Sequence, residues 1–230
     1  NNSTLCDNAG GLERSFAFSQ LALMLLTFQC FSPGGRIGVA LWDGVETAGK
    51  GSSNHAPCVA DSMLHAVIRG QNLLESLWLN LLNKEQVEKL FGEKRWGQPV
   101  WELRPASPED ESLAGNATRT YLGRLVPLTR VVRLEEDGCT MILANGLKFP
   151  PYPEWREPTS TIIIRRGKRH TEERAVLRAS LDRGPWRELH ALTVKTVGLN
   201  TIGGPLPLQN VASVAGSTPF DLWVGGLVAD

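Results

Sequence analysis

An α+β fold is predicted, and two observations predict it. Apolar residues recur at helical spacing in the first ninety residues, whereas from about residue 120 they alternate and are punctuated by Asp137-Gly138 and Asn145-Gly146. Helices first and a meander of strands afterwards argue for helices packed on a largely antiparallel sheet, against a parallel sheet wound with crossover helices. No internal repeat is visible.

The first helix is expected over residues 13–30, where Phe16, Leu21, Met24, Leu25 and Phe28 share a face, and Pro33 with Gly34-Gly35 ends it. Residues 39–58 read as loop, dotted with Gly44, Gly49, Gly51 and Pro57. A second helix is expected over 71–91, with Leu74, Leu77, Trp78, Leu81 and Leu82 as its apolar stripe and Gly92 at its end. The stretch "RPASPEDESLAGNAT" reads as a linker. Strands joined by tight turns follow in "TRVVRLEEDGCTMILANGLKF", then a strand in "STIIIRR" and a short helix opened by Pro185. Residues 198–219 are rich in Gly, Pro and Ser and read as a tail, and "FDLWVGGL" is a last strand.

With 230 residues, 42% hydrophobic and 21% charged, the chain is an ordinary globular one, of one large domain or two small ones. Its formal net charge of zero argues against a free-standing nucleic-acid binder, which carries a basic excess. Any such contact is local, or made beside partners that supply the charge. Cys6, Cys30, Cys58 and Cys139 are too scattered for a zinc site and read as free thiols of a reducing compartment. There is no signal-peptide pattern, and the longest apolar run, residues 16–31, is too short to span a bilayer. The glycosylation patterns at Asn2 and Asn116 are idle without secretion. The absent initial Met and the apolar last segment suggest part of a longer chain.

Candidate chemistry is sparse. "GVETAGKGS" approaches the phosphate-cradling G-x-x-x-x-G-K-[ST], but Gly51 stands where a magnesium-holding hydroxyl is required and no helix start follows, so Lys50 reads as a loop cation. His55, His65, His170 and His190 form no ligand-spaced unit, and no G-x-S-x-G is present. Glu135-Glu136 and Glu172-Glu173 read as solvated faces. "RRGKRH", residues 165–170, holds Arg165, Arg166, Lys168 and Arg169; it is either an exposed hairpin turn or a phosphate contact. "SPGGRIG", residues 32–38, either caps the helix through glycines at positive φ or leaves the backbone bare for a ligand.

Several segments, taken in order, resemble the CasA family, the large subunit of the type I-E CRISPR surveillance complex Cascade. They are "TFQCFSPGG", "VIRGQNLLESLWLNLL", "QPVWE", "TYLGRLVPLTRVVRL", "NGLKFPP", "PWRELHAL" and "DLWVGG", and they cover nearly the whole chain. The resemblance implies a cytoplasmic subunit with no active site and no cofactor. Its partners are the other Cascade subunits, the 5′ handle of the guide RNA, target double-stranded DNA and a CRISPR nuclease-helicase. It reads a protospacer-adjacent motif in the duplex and helps open it. The chain would be the central and C-terminal portion, over 1–230, of the family's N-terminal domain, without the C-terminal helical bundle. DNA contacts fall on Gly34, Gly35, Arg36 and Gly38 of the glycine loop and on Lys148, with further backbone contacts at Lys50, Arg165, Arg166, Lys168 and Arg169. Bare backbone suits the minor groove, which is about 6 Å wide and discriminates base pairs poorly. Two departures stand out. No lysine occupies the turn Asp137-Gly138-Cys139, where a family member can carry one, and the strand-separating wedge that follows the glycine pair matched by Gly225-Gly226 would begin near Asp230. The paired-cysteine metal site of some relatives is also missing. The alternatives are a cytosolic α+β enzyme whose Gly-rich loop binds an anion, and a plain scaffold.

Overall fold

The computed structural model describes residues 16–32, 34–42, 44–47, 49–52, 55–103, 111–134, 141–147, 149, 157–166, 171–193, 203–214 and 220–228. The first helix, α1, runs Phe18–Phe31. It stops where expected, because Ser32 precedes a proline and takes the extended conformation (φ −63°, ψ 122°) that such a residue prefers. The face it turns inward differs from the expected one. Leu21, Leu25 and Gln29 face the protein, while Met24 and Phe28 are exposed. Apolar residues surround this helix on all sides, so their spacing alone does not identify the buried face.

After β1 (Gly35–Ile37), the stretch expected to be loop carries β2 (Leu41–Trp42), β3 (Val45–Glu46) and β4 (Lys50–Ser52), while residues 55–58 lie outside any strand. β1 pairs with β4 and β2 with β3, both antiparallel. Both ladders are symmetric about the same point between Trp42 and Val45, so they form one ribbon in one register. The two residues between Trp42 and Val45 are an Asp-Gly pair, the composition of a two-residue hairpin turn, and Gly44 takes φ +81°. That signal was legible. What hid it was the far flank, where "ETAGKGS" carries no large apolar residue.

The central strand is β5 (Leu64–Arg69), which sequence reading missed. Leu64, Ala66 and Ile68 alternate inward and pack with Leu79, Leu177, Leu192 and Leu208. One edge of β5 pairs antiparallel with β10 (Asp221–Gly226), the expected last strand. The other edge receives the chain near residues 159 and 177, through Ala66 N donating to the Thr159 carbonyl and Leu64 N to the Leu177 carbonyl, both at 2.9 Å.

The expected second helix is two: α2 (Leu73–Asn80) and α3 (Lys84–Phe91). Asn83 divides them, accepting from Gln86 N at 2.9 Å while its own N–H donates to the Gln86 side chain at 2.9 Å, a reciprocal cap. Gly92 ends α3 at φ +100°, as its position suggested. The stripe expected to be buried faces solvent: Leu74 is 75% and Trp78 73% exposed, and of the five only Leu82 is buried. What α2 turns inward is Leu79 and Asn80. Asn80 acts as a backbone surrogate, with Oδ1 accepting from Ile68 N at 3.0 Å and Nδ2 donating to the Ile68 carbonyl at 2.7 Å. Replacing Asn80 by alanine strands both groups of a fully buried residue. The expected loss is about 2 kcal/mol, read as a shift of the urea midpoint with the slope unchanged.

Part of the expected linker is α4 (Glu111–Arg119), on which Asn116 hydrogen-bonds the backbone of Gln98. β6 (Arg130–Leu134) and β7 (Met141–Asn145) pair antiparallel as expected; Asp137-Gly138 lies outside the described residues. Among the described residues, Asn145-Gly146 does not join two strands. A Cβ on Gly146 would sit 2.1 Å from the Leu128 carbonyl, so glycine is there for close approach. β8 (Ile162–Arg166) is the strand expected in "STIIIRR"; its antiparallel partner β9 (Glu172–Val176) was not expected. Pro185 opens a 3-10 turn, Pro185–Glu188, that continues into α5 (Leu189–Thr193). The tail is partly helical, with α6 at Leu208–Val214 closing on Ile68 and Leu79. The described strand pairs are all antiparallel and make five two-stranded sheets instead of one, so the class is α+β as predicted. No helix among the described residues is long and apolar enough to cross a membrane.

Candidate nucleic-acid interface

The ribbon is anchored at its glycine end and exposed along much of its length. Ala56 N donates to the Ser32 carbonyl at 2.9 Å, and Gly34 N donates to His55 Nδ1 at 3.0 Å. The guanidinium of Arg130 reaches the Gly35 carbonyl at 3.3 Å and the Thr129 carbonyl at 2.8 Å. Burial pulls that guanidinium below the ordinary arginine value. Gln29 Nε2 donates to the Arg130 carbonyl at 2.5 Å, tying α1 to the same point. Nearer the tip, Arg133 stacks over the Trp42 ring at 5.8 Å.

Gly35 and Gly38 need no unusual backbone. Neither has positive φ, and a Cβ on either would meet nothing within 4 Å. The helix-capping explanation therefore does not account for these two glycines. Both are exposed, so the anchored edge presents peptide backbone with no side chain above it. The shared register sets Gly38 across from Gly49, where a Cβ would crowd Val39.

Of the residues singled out by sequence, Gly34, Gly35, Arg36, Gly38 and Lys50 come together on this ribbon. Arg36 is exposed and stands opposite Gly51. The "GVETAGKGS" stretch is strand from Lys50 to Ser52, paired with β1, so Lys50 is a strand residue and not a loop cation. Arg165 and Arg166 belong to β8, on another sheet, in register with Glu173 and Glu172. Lys148, Lys168, Arg169 and His170 lie outside the described residues, as do Cys6 and Cys139. Sequence reading missed the anchors Gln29, His55 and Arg130. Only the third of these had a signal, a charged residue opening a strand whose next two residues are apolar. Among the described residues no three His, Cys, Asp or Glu side chains converge as metal ligands would.

Behind the ribbon lies a buried polar chain. Arg124 and Glu157 form an ion pair with side chains 7% and 8% exposed. Glu157 Oε1 accepts from Thr159 N at 3.2 Å and Thr159 Oγ1 at 2.9 Å. His65 Nδ1 lies 2.9 Å from Thr159 Oγ1, and its Nε2 lies 2.8 Å from the Cys58 carbonyl. Burial pushes the Glu157 carboxyl up, but Arg124, His65 and the Thr159 N–H outweigh it and hold the carboxyl below the ordinary value of 4.5. Burial, chiefly, raises the Cys58 and Cys30 thiols, which makes poor nucleophiles of them. Arg124 also stacks over Phe91 at 5.7 Å. The chain links β5 to the segments that carry residues 124 and 157, and so holds the framework on which α1 and the ribbon sit.

The fold thus defines an α+β chain distinguished by an exposed, glycine-based ribbon. The family model for CRISPR-associated protein Cse1 matches residues 1–230, and the chain belongs to the Cse1 family, also called CasA. It is similar in fold to CasA of Thermus thermophilus (24% identity, TM-score 0.61, covering 93% of this chain and 42% of that one). Cse1 of Thermobifida fusca is a second likeness (21% identity, TM-score 0.60, 90% of this chain and 41% of that one). A chain of a CRISPR RNA-guided surveillance complex is a third (18% identity, TM-score 0.58, 93% of this chain and 42% of that one). The chain spans about two fifths of the length of these structures. No curated protein sequence matches it.

Proposed function

We propose that this chain is part of the large, non-catalytic subunit of a cytoplasmic RNA-guided antiviral surveillance complex. It reads a short protospacer-adjacent motif in target duplex DNA, helps to open the duplex and recruits a nuclease-helicase. Its partners are the other Cascade subunits and the 5′ handle of the guide RNA. One observation carries the reading: in a chain of the Cse1 family, a stretch of bare backbone is anchored by Gln29, His55 and Arg130 and left open at Gly35 and Gly38. A groove about 6 Å wide admits backbone where it would reject side chains. Anchoring in advance lowers the ordering cost of binding. Guide pairing reads the remainder of the target, so a protein surface that tells base pairs apart weakly is sufficient. Arg36 is the phosphate contact within the ribbon, and Lys50 and Lys148 add to it. The zero net charge fits a subunit whose neighbours hold most of the RNA.

Sedimentation tests the assembly. The full-length protein, mixed with guide RNA and the other complex subunits, is expected to co-sediment with them and to confer motif-dependent retention of duplex DNA. Sedimentation of the protein as a free species under those conditions contradicts the proposal.

A further inference from the structure

A cleft of about 630 Å³ opens beside β8 and shares no residue with the ribbon. Its floor is apolar, made by Leu64, Leu177 and Val224, and its rim carries Arg165, Arg178 and Arg183. Two of the arginines are held by carboxylates: Arg178 by Asp61 at 2.5 Å and Arg183 by Glu188 at 3.1 Å. A guanidinium has five donors, so a single carboxylate contact fixes its orientation and leaves donors for a second anion. Three arginines against Glu188 and the Asp61 that holds Arg178 leave the cleft a net positive charge. An apolar floor beneath a cationic rim suits a ligand that is flat and apolar at one end and anionic at the other. A nucleotide of an unpaired strand has that form; a nucleotide stacked in a duplex does not offer its base to a concave site.

We propose that this cleft binds single-stranded nucleic acid, with a base against Leu64, Leu177 and Val224 and flanking phosphates on Arg165 and Arg183. The inference rests on the reading of the chain as a duplex-opening subunit, since opening supplies the unpaired strand. It assigns Arg165 a role separate from the ribbon, whose partner is paired DNA.

The test uses the full-length protein and a fluorescent oligothymidylate, titrated over a range of salt. The double variant Arg165→Glu/Arg183→Glu is expected to bind at least tenfold more weakly. Its salt dependence should be shallower by about 1.4 in slope, roughly 0.7 for each phosphate no longer neutralised. Arg165→Lys/Arg183→Lys keeps the charges and should retain most of the affinity, and Arg165→Ala/Arg183→Ala serves if the reversed charges disturb folding. Unchanged affinity and slope in the variants overturn the proposal. Equal binding of thymidine monophosphate also overturns it, because a strand site gains from the second phosphate. Motif-bearing duplex, measured in parallel, separates the two readings. Duplex binding intact with oligothymidylate binding insensitive to the arginines sinks the cleft alone. Absent duplex binding with arginine-dependent oligothymidylate binding sinks the motif-reading role and leaves the cleft standing.

Discussion

Replacing Glu157 by glutamine is expected to lower stability by about 3–5 kcal/mol and the melting temperature by roughly 10 °C. The change is nearly isosteric, so packing is not what is lost. It leaves the Arg124 guanidinium, whose side chain is 7% exposed, without its counter-charge. Arg124→Met should cost a similar amount from the other side, by leaving a buried carboxylate unpaired. The double variant should recover much of the loss, since removing both charges also removes both desolvation penalties. The pH dependence follows from the direction of the Glu157 shift. Its folded value lies below its unfolded one, so the stabilisation is complete above the ordinary value of 4.5 and disappears as pH falls through the folded value. Wild-type protein should therefore lose stability on the acid side below about pH 4.5, with a component of that slope missing in Glu157→Gln. Denaturant unfolding from pH 7 to pH 3 reads both. A single glutamine variant as stable as wild type would remove the ion pair from the account of the framework.

The elements legible in the sequence were those whose signals are local. Pro33 ended α1, Gly92 ended α3, Pro185 opened its helical turn, the alternation of "TRVVRLEEDGCTMILANGLKF" marked two strands that pair with each other, and "STIIIRR" and "FDLWVGGL" marked strands whose partners were not foreseen. What was not legible depended on distant partners. β5 is a short apolar run whose burial is set by β10, more than 150 residues further on, and by the chain near Thr159 and Leu177. The inward face of α2 is chosen by Asn80 bonding to Ile68, which spacing rules do not weigh, and the apolar stripe they do weigh points to solvent. The same holds for the site. The glycines were visible as composition, but the ribbon that makes them a surface was hidden, although one cue to it, an Asp-Gly turn, is written in single residues. Its anchors come from residues 29, 55 and 130, and only folding brings these together.

Gly35→Asp is expected to weaken binding of motif-bearing duplex by tenfold or more while leaving the protein folded. The backbone at Gly35 is one that any residue adopts, and the space in front of it is empty, so an aspartate should change stability by no more than about 0.5 kcal/mol, as for other exposed sites. On the proposed function, that same space is where the groove lies in a complex with DNA. The side chain would displace the backbone from the groove floor and set a negative charge against phosphate, and an uncompensated charge at a desolvated contact costs more than the roughly 1.4 kcal/mol that a tenfold loss represents. Guide-RNA assembly should be spared, because the side chain is added where no atom lies within 4 Å and the Gly35 carbonyl keeps its bond to Arg130. The most direct measurement takes melting temperature and affinity for duplex with and without the motif on the same assembled Gly35→Asp complex. An unchanged melting temperature with motif-dependent affinity reduced at least tenfold is the predicted result; a folded variant complex that binds motif-bearing duplex as tightly as wild type would contradict it.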